Sequence, residues 1–202
     1  MRKGEREKAI SYIKKVDPTL GDLIVRIGSL EERNAECYFI SLVSSIISQQ
    51  LSTKVADVIY ARFEALFNDQ ITPQEVQKIE DQTIRDIGIS WSKIKYIKAL
   101  SEYALKSNKV FEKFDSMSDE EIIKELTQVK GIGRWTAEMF LIFTMERPDV
   151  FSFGDLGLKR AIQRWYGFKT EPKESQIAKI TLQWKPYRSI ASRYLWKSLA
   201  LS

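Results

Sequence analysis

The sequence predicts an all-α protein on three observations. Apolar residues recur at helical spacing through most of the chain. Helix starts and stops are marked again and again by capping residues, prolines and glycines. No stretch alternates with the period of two that a half-buried strand requires. At 202 residues the chain can bury a sizeable core, as one compact unit or as two closely packed lobes. It contains no repeat, low-complexity segment or domain linker.

The elements follow in order. The charged opening, Met1-Arg2-Lys3-Gly4-Glu5-Arg6-Glu7-Lys8, leads into no long apolar run, so it is not read as a secretory signal. No later stretch reaches the roughly 18 uninterrupted apolar residues of a membrane span. Asp17-Pro18 supplies an N-cap and a proline at the first helical position, for a helix stopping at Gly28. Between Cys37 and Phe67 the apolar positions Phe39, Ile40, Val43, Ile46 and Ile47, then Val55, Val58, Ile59, Phe63 and Leu66, predict two helices. They meet at the polar break Ser48-Gln49-Gln50-Leu51-Ser52-Thr53. Thr72-Pro73-Gln74-Glu75 reads as a capping box opening a helix that stops at Gly88. Ile89-Ser90-Trp91-Ser92 leads into a helix through about Lys106, whose basic residues Lys93, Lys95 and Lys98 read mainly as a solvated face.

A second capping box, Ser118-Asp119-Glu120-Glu121, starts a helix expected to run to Val129. Lys130-Gly131-Ile132-Gly133 then forces a tight hairpin, and a further helix begins near Arg134. The amides of Ile132, Gly133 and Arg134 converge there at a helix N-terminus, a ready site for an anion such as phosphate. Taken alone, such a hairpin is more often a plain helical corner. After Pro148 a loop delivers Asp155 to the start of a helix reaching Trp165, with Gly167 as its stop. Another helix follows Pro172, and Pro186 opens the last.

Composition excludes several chemistries. Lys plus Arg 32 against Asp plus Glu 27 gives a net charge of +5, a weak pull toward a polyanionic partner. There is no histidine, so imidazole serves neither as base nor as zinc ligand. Cys37 is the only cysteine, which rules out an intrachain disulfide and a four-cysteine iron-sulfur cluster and fits a reducing, intracellular setting. Carboxylates, Lys, Tyr and Ser remain.

Two segments, VKGIGRWTAEM and DVFSFGDLGLKRAI, resemble in their order and spacing the helix-hairpin-helix DNA glycosylases (HhH-GPD), specifically the 3-methyladenine DNA glycosylase II branch. Asp155 falls twenty-two residues after Gly133. The segment Gly88-Ile89-Ser90-x-x-Lys93-x-x-Tyr96-Ile97 resembles another recurrent part of that branch, and the likeness extends from about Gly21 to Leu195. The resemblance implies two helical lobes with the active site in a cleft between them. Residues 36–115 would carry the intercalating loop, and residues 1–35 plus 116–202 the hairpin and the catalytic aspartate. Some members carry an extra N-terminal β-domain, and this chain is expected to be a minimal form without it.

The resemblance further implies roles. Gly131, Ile132, Gly133 and Arg134 would grip a DNA phosphate through backbone amides. A monovalent cation, Na or K, would be held by the main-chain oxygens of Thr127, Val129 and Ile132, with no other cofactor required. Gln50, with Leu51 as its neighbouring alternative, would plug the stack vacated by a flipped nucleotide. Trp135 and Met139 would line the base pocket, although the family often has an aromatic at the position of Met139. Trp135 stands where strand-cleaving relatives carry a Schiff-base lysine, so the chain is expected to be monofunctional. Asp155 would stabilise the oxocarbenium character of the sugar as an alkylated purine departs, and orient the attacking water. The expected partner is double-stranded DNA with damaged bases. The protein is expected to act as a monomer, inside the cell and away from membranes. The alternatives are a bifunctional oxidised-base glycosylase/lyase, or a helix-hairpin-helix module that only binds DNA.

Overall fold

The structure is a computed structural model that describes residues 3–31, 37–68, 70–106 and 110–201. Among these all regular secondary structure is helical: α1 (Lys3–Val16), α2 (Pro18–Ile27), α3 (Tyr38–Ser48), α4 (Thr53–Ala65), α5 (Pro73–Lys78), α6 (Asp81–Asp86), α7 (Trp91–Lys106), α8 (Val110–Lys113), a 3₁₀ turn (Phe114–Ser116), α9 (Asp119–Leu126), α10 (Arg134–Phe143), α11 (Leu156–Trp165), α12 (Glu174–Leu182) and α13 (Arg188–Ser198). No helix among the described residues is long and apolar enough to cross a membrane.

The chain divides into two compact units, one of Met1–Asn34 with Leu141–Ser202 and one of Ala35–Phe140. In the first, α1, α2, α11 and α13 pack around Ile13, Leu20, Leu23, Leu158, Trp184 and Leu195. Asp17 organises this unit. Its Oδ1 caps α2 by accepting from the Leu20 amide at 3.0 Å. Its Oδ2 accepts from the Tyr166 hydroxyl at 2.6 Å, Gln183 Nε2 at 3.0 Å and Trp184 Nε1 at 2.7 Å. One buried carboxylate thus ties the start of α2 to the residues closing α11 and α12. Burial first, then the Asp17 carboxylate, pushes the Tyr166 hydroxyl far above the usual phenol range, so it remains a donor.

In the second unit α3, α5 and α6 pack on α7, and α4 on α3. Ile94, Ile97 and Leu100 supply the buried stripe of α7. The helix expected from Thr72 to Gly88 is two helices. Thr72 caps α5 by accepting from the Glu75 amide at 3.2 Å, but the helix breaks at Ile79. Lys98 Nζ satisfies the freed carbonyls of Gln77, at 3.2 Å, and Ile79, at 2.5 Å. Lys98 is therefore a structural cap and not part of a solvated face. The Ser118 box forms as expected, with the Ser118 amide donating to Glu121 Oε2 at 2.8 Å and the Glu121 amide to Ser118 Oγ at 3.4 Å. The helix it starts stops at Leu126, short of Val129, because Thr127 turns its hydroxyl back onto Ile123 O at 2.8 Å and the chain tightens into the hairpin.

The unit boundary differs from the expected one, whose marker Glu36 lies outside the described residues. The hairpin groups with the middle helices and not with the chain ends. Gly131 lies close to that unit's other elements: an added Cβ there would meet Tyr96 of α7, and its carbonyl accepts from Gln49 Nε2 at 3.0 Å.

Candidate active site and hairpin

The hairpin is built by a tight chain reversal. The Val129 amide donates to Leu126 O at 3.1 Å and the Ile132 amide to Val129 O at 3.0 Å. Ile132, expected to offer its amide to an anion, is thus already engaged, and its side chain is buried. The anion-binding capacity falls to the amides that follow, which open α10 and have no acceptor one turn earlier within that helix. The two glycines differ in kind. At Gly131 φ is +95° and an added Cβ would lie 2.1 Å from Tyr96 Cγ, so only glycine fits. At Gly133 an added Cβ would meet nothing within 4 Å. Its bare backbone faces open space, as a group approaching from outside requires. The Arg134 side chain is bound by two carboxylates, Glu120 at 2.6 Å and Glu138 at 2.9 Å, and raised above its usual pKa chiefly by the bond to Glu120.

The loop between α3 and α4 stands in the same unit. A cavity of about 510 Å³ is lined by Gln49, Gln50, Lys93, Tyr96, Thr127 and Gly131, together with Val129, Ile132 and Gly133. It brings the expected plug, the expected grip and the three expected cation-binding residues around one space. Gln50 is exposed and has φ of +59°, a left-handed conformation uncommon for a residue with a side chain. Leu51, its alternative, is half-buried. Lys93, expected on a solvated face, donates instead to Ile47 O at 2.8 Å and Gln49 O at 2.7 Å, and burial lowers its pKa.

Asp155 lies in the other unit. Among the described residues the buried carboxylates are Asp17, Glu138 and Asp155. Asp17 is saturated by four donors and Glu138 is ion-paired to Arg134. At Asp155, Oδ1 accepts from the Leu158 amide at 2.7 Å and from Trp196 Nε1 at 2.9 Å. It is both the N-cap of α11 and a partner of a tryptophan on α13. Gly157 permits that pairing, since a Cβ there would sit 3.1 Å from both Asp155 Oδ1 and Trp196 Cδ1. The Trp196 ring packs on Phe143 with centroids 5.3 Å apart and a tilt of 32°. A cavity of about 160 Å³ opens beside it, lined by Leu30, Glu31, Phe143, Arg193, Trp196 and Lys197. A buried carboxylate joined to an aromatic wall is suited to stabilising a cationic centre.

A model of the HhH-GPD superfamily of base excision DNA repair proteins matches residues 43–186. The chain belongs to the HhH-GPD superfamily. DNA-3-methyladenine glycosylase 1 of Schizosaccharomyces pombe is 34% identical over 164 residues, covering 80% of this chain and 72% of the relative. The alkylbase DNA glycosidase-like protein mag2 of the same yeast is 29% identical over 197 residues, covering 95% of this chain and 92% of the relative. The solved structure of S. pombe 3-methyladenine DNA glycosylase Mag1 in complex with abasic DNA superposes with a TM-score of 0.84 at 31% identity, over 96% of this chain and 98% of that one.

Within this HhH-GPD chain the aromatic candidates take distinct places. Trp135 is 50% exposed on the first turn of α10, so it is not core, unlike Trp184, which is fully buried. Met139 follows one turn on, at i+4 on the same helix. Neither Trp135 nor Met139 lines the two cavities described above. Sequence reasoning missed Trp196 and Gly157 as partners of Asp155. Gly157 stood in the motif without a role, and no local signal links Trp196 to a residue 41 positions earlier.

Proposed function

We propose that this HhH-GPD protein is a monofunctional DNA glycosylase that flips alkylated purines of the 3-methyladenine and 7-methylguanine class out of duplex DNA and hydrolyses their N-glycosidic bond. The observation that carries the reading is Asp155, buried, held by two neutral N–H donors and set against an aromatic wall. Two of the named relatives are described as 3-methyladenine DNA glycosylases and the third as alkylbase DNA glycosidase-like, which agrees with it.

The glycosidic bond is inaccessible inside the stack, so the nucleotide must be extruded. Backbone amides at Gly133 and Arg134 grip a phosphate without reading sequence, which suits an enzyme acting wherever damage arises. A monovalent cation held by the main-chain oxygens of Thr127, Val129 and Ile132, which line one cavity, would add positive charge beside that phosphate. Gln50 or Leu51 fills the vacated stack. Trp135, with Met139 one turn on, stacks against the extruded base. Alkylation at N3 or N7 leaves the purine cationic, so it departs without a strong general acid. Positive charge then gathers on the sugar, where the Asp155 carboxylate stabilises it and orients water for attack at C1′. The Trp196 N–H fixes the carboxylate's orientation. Tryptophan at position 135 offers no amine for a Schiff base, so the strand is left intact.

Asp155→Asn keeps the shape and removes the charge. Release of 7-methylguanine should fall by at least about a hundredfold, the scale of one preorganised electrostatic group, with duplex affinity nearly unchanged. Near-normal excision by this variant would take the catalytic role from Asp155, and borohydride trapping of a covalent adduct by the wild type would overturn the monofunctional reading.

A further inference from the structure

The loop that carries Gln50 is a tight turn with a specific sense. Leu51 N donates to Ser48 O at 3.1 Å, closing a four-residue turn over Gln49 and Gln50. Gln49 has φ −51° and ψ 129°, and Gln50 has φ +59°. These angles are those of a type II turn, in which the third residue takes positive φ and is ordinarily glycine. Type I, the commoner form for residues with side chains, differs by rotation of the central peptide, which carries its carbonyl to the opposite side. The central carbonyl here is that of Gln49, and it is the one to which Lys93 donates, at 2.7 Å. The same ammonium group donates to Ile47 O, so it is anchored to the end of α3. From the other direction the Gln49 side chain donates to Gly131 O of the hairpin at 3.0 Å.

We propose that Lys93 is a positioning residue for the plug: its hydrogen bond to the Gln49 carbonyl selects the type II sense of the turn and so holds Gln50 left-handed and presented outward. The inference rests on the glycosylase reading only for the use made of the plug. A charged donor on the central carbonyl favours the conformation that points this oxygen at it, and Gln50 must then accept the strained φ. Without the ammonium the peptide rotates, Gln50 relaxes to negative φ, and its side chain leaves the position from which it enters a stack. Gln49 couples this turn to the hairpin, so the plug is set in register with the phosphate grip.

The test uses Lys93→Met in the full chain, which keeps the aliphatic stem, with Gln50→Ala and the double variant beside it, all checked for folding by thermal melting. Two readouts are taken: the ratio of affinities for a duplex with a tetrahydrofuran abasic analogue and for the intact duplex, and single-turnover base release from a paired lesion and from the same lesion in single-stranded DNA. Lys93→Met should lower the affinity ratio and the paired-lesion rate by about tenfold, the effect of one hydrogen bond to a charged group, while single-strand excision stays within about twofold. In the Gln50→Ala background the same change should have no further effect, because the side chain being positioned is gone. An affinity ratio unchanged in Lys93→Met overturns the proposal, as does equal loss on paired and unpaired lesions. So does a salt dependence of binding that drops by about one phosphate contact, which would make Lys93 a direct DNA ligand. If the wild type prefers the abasic duplex and Lys93→Met loses that preference, yet no base is released by either, the positioning role stands and the glycosylase reading falls.

Discussion

Trp135 is half exposed at the start of α10, so its removal separates chemistry from folding. A buried tryptophan truncated to alanine costs about 3 to 5 kcal/mol, and a half-exposed one should cost well below that range. Trp135→Ala should therefore melt close to the wild type. If the ring stacks on a cationic purine, excision of 3-methyladenine and 7-methylguanine should fall roughly two- to thirtyfold more than excision of a neutral lesion, the reach of a cation–π contact. Equal losses for charged and neutral lesions on folded protein would assign base selectivity elsewhere, with the cavity beside Trp196 and Phe143 next in line. Asp155 and Asp17 make a parallel contrast at this scale. Both are buried helix N-caps, but Asp17 is saturated by donors from three segments, whereas the bonds made to Asp155 Oδ1 come from neutral groups on its own helix and on α13.

The hairpin is the element on which grip and structure can be told apart, because its two glycines answer to different neighbours. Gly131→Ala places a methyl group inside the Tyr96 ring and a side chain at φ +95°, so it should destabilise the protein by about 1 to 3 kcal/mol or more in urea unfolding. Gly133→Asp meets open space and should leave stability nearly unchanged. It should instead weaken binding to damaged and undamaged duplexes alike, since a carboxylate at the amide site repels phosphate. Equilibrium binding across several sequences checks this, and unchanged affinity would reduce the hairpin to a helical corner.

At the scale of the molecule, Asp17 is the point where the unit containing Asp155 is held together. Asp17→Ala removes a helix cap and takes the acceptor from Tyr166, Gln183 and Trp184, of which Trp184 is fully buried. A lost cap costs about 1 kcal/mol and a stranded buried donor about 1 to 3, so a loss of at least about 2 kcal/mol is expected in chemical denaturation. Asp17→Asn keeps the cap acceptor and should lose less. A loss under about 1 kcal/mol for Asp17→Ala would show that these donors find other acceptors. Folded Asp17→Ala should excise the same lesions as the wild type, since the residue touches no part of the proposed chemistry.

What could be read from the sequence was local in origin. Asp17, Ser118 and Asp155 announce helix starts because a cap bonds to an amide three residues on, and the Gly131 to Gly133 hairpin is legible because a reversal that short needs glycine. The all-α class and the family motifs followed from the same short-range patterns. The tertiary structure alone decided who meets whom at a distance. Nothing near Lys93 in sequence says that its ammonium group ends on the Gln49 carbonyl, nor that Lys98 caps the break at Ile79, nor that Arg134 is held by Glu120. The pairing of Trp196 with Asp155 is of the same kind, set by α13 crossing α11 over Gly157. A long side chain on an exposed-looking helix face has many candidate partners in sequence, and only packing, by fixing which carbonyl or carboxylate lies within 3 Å, selects among them.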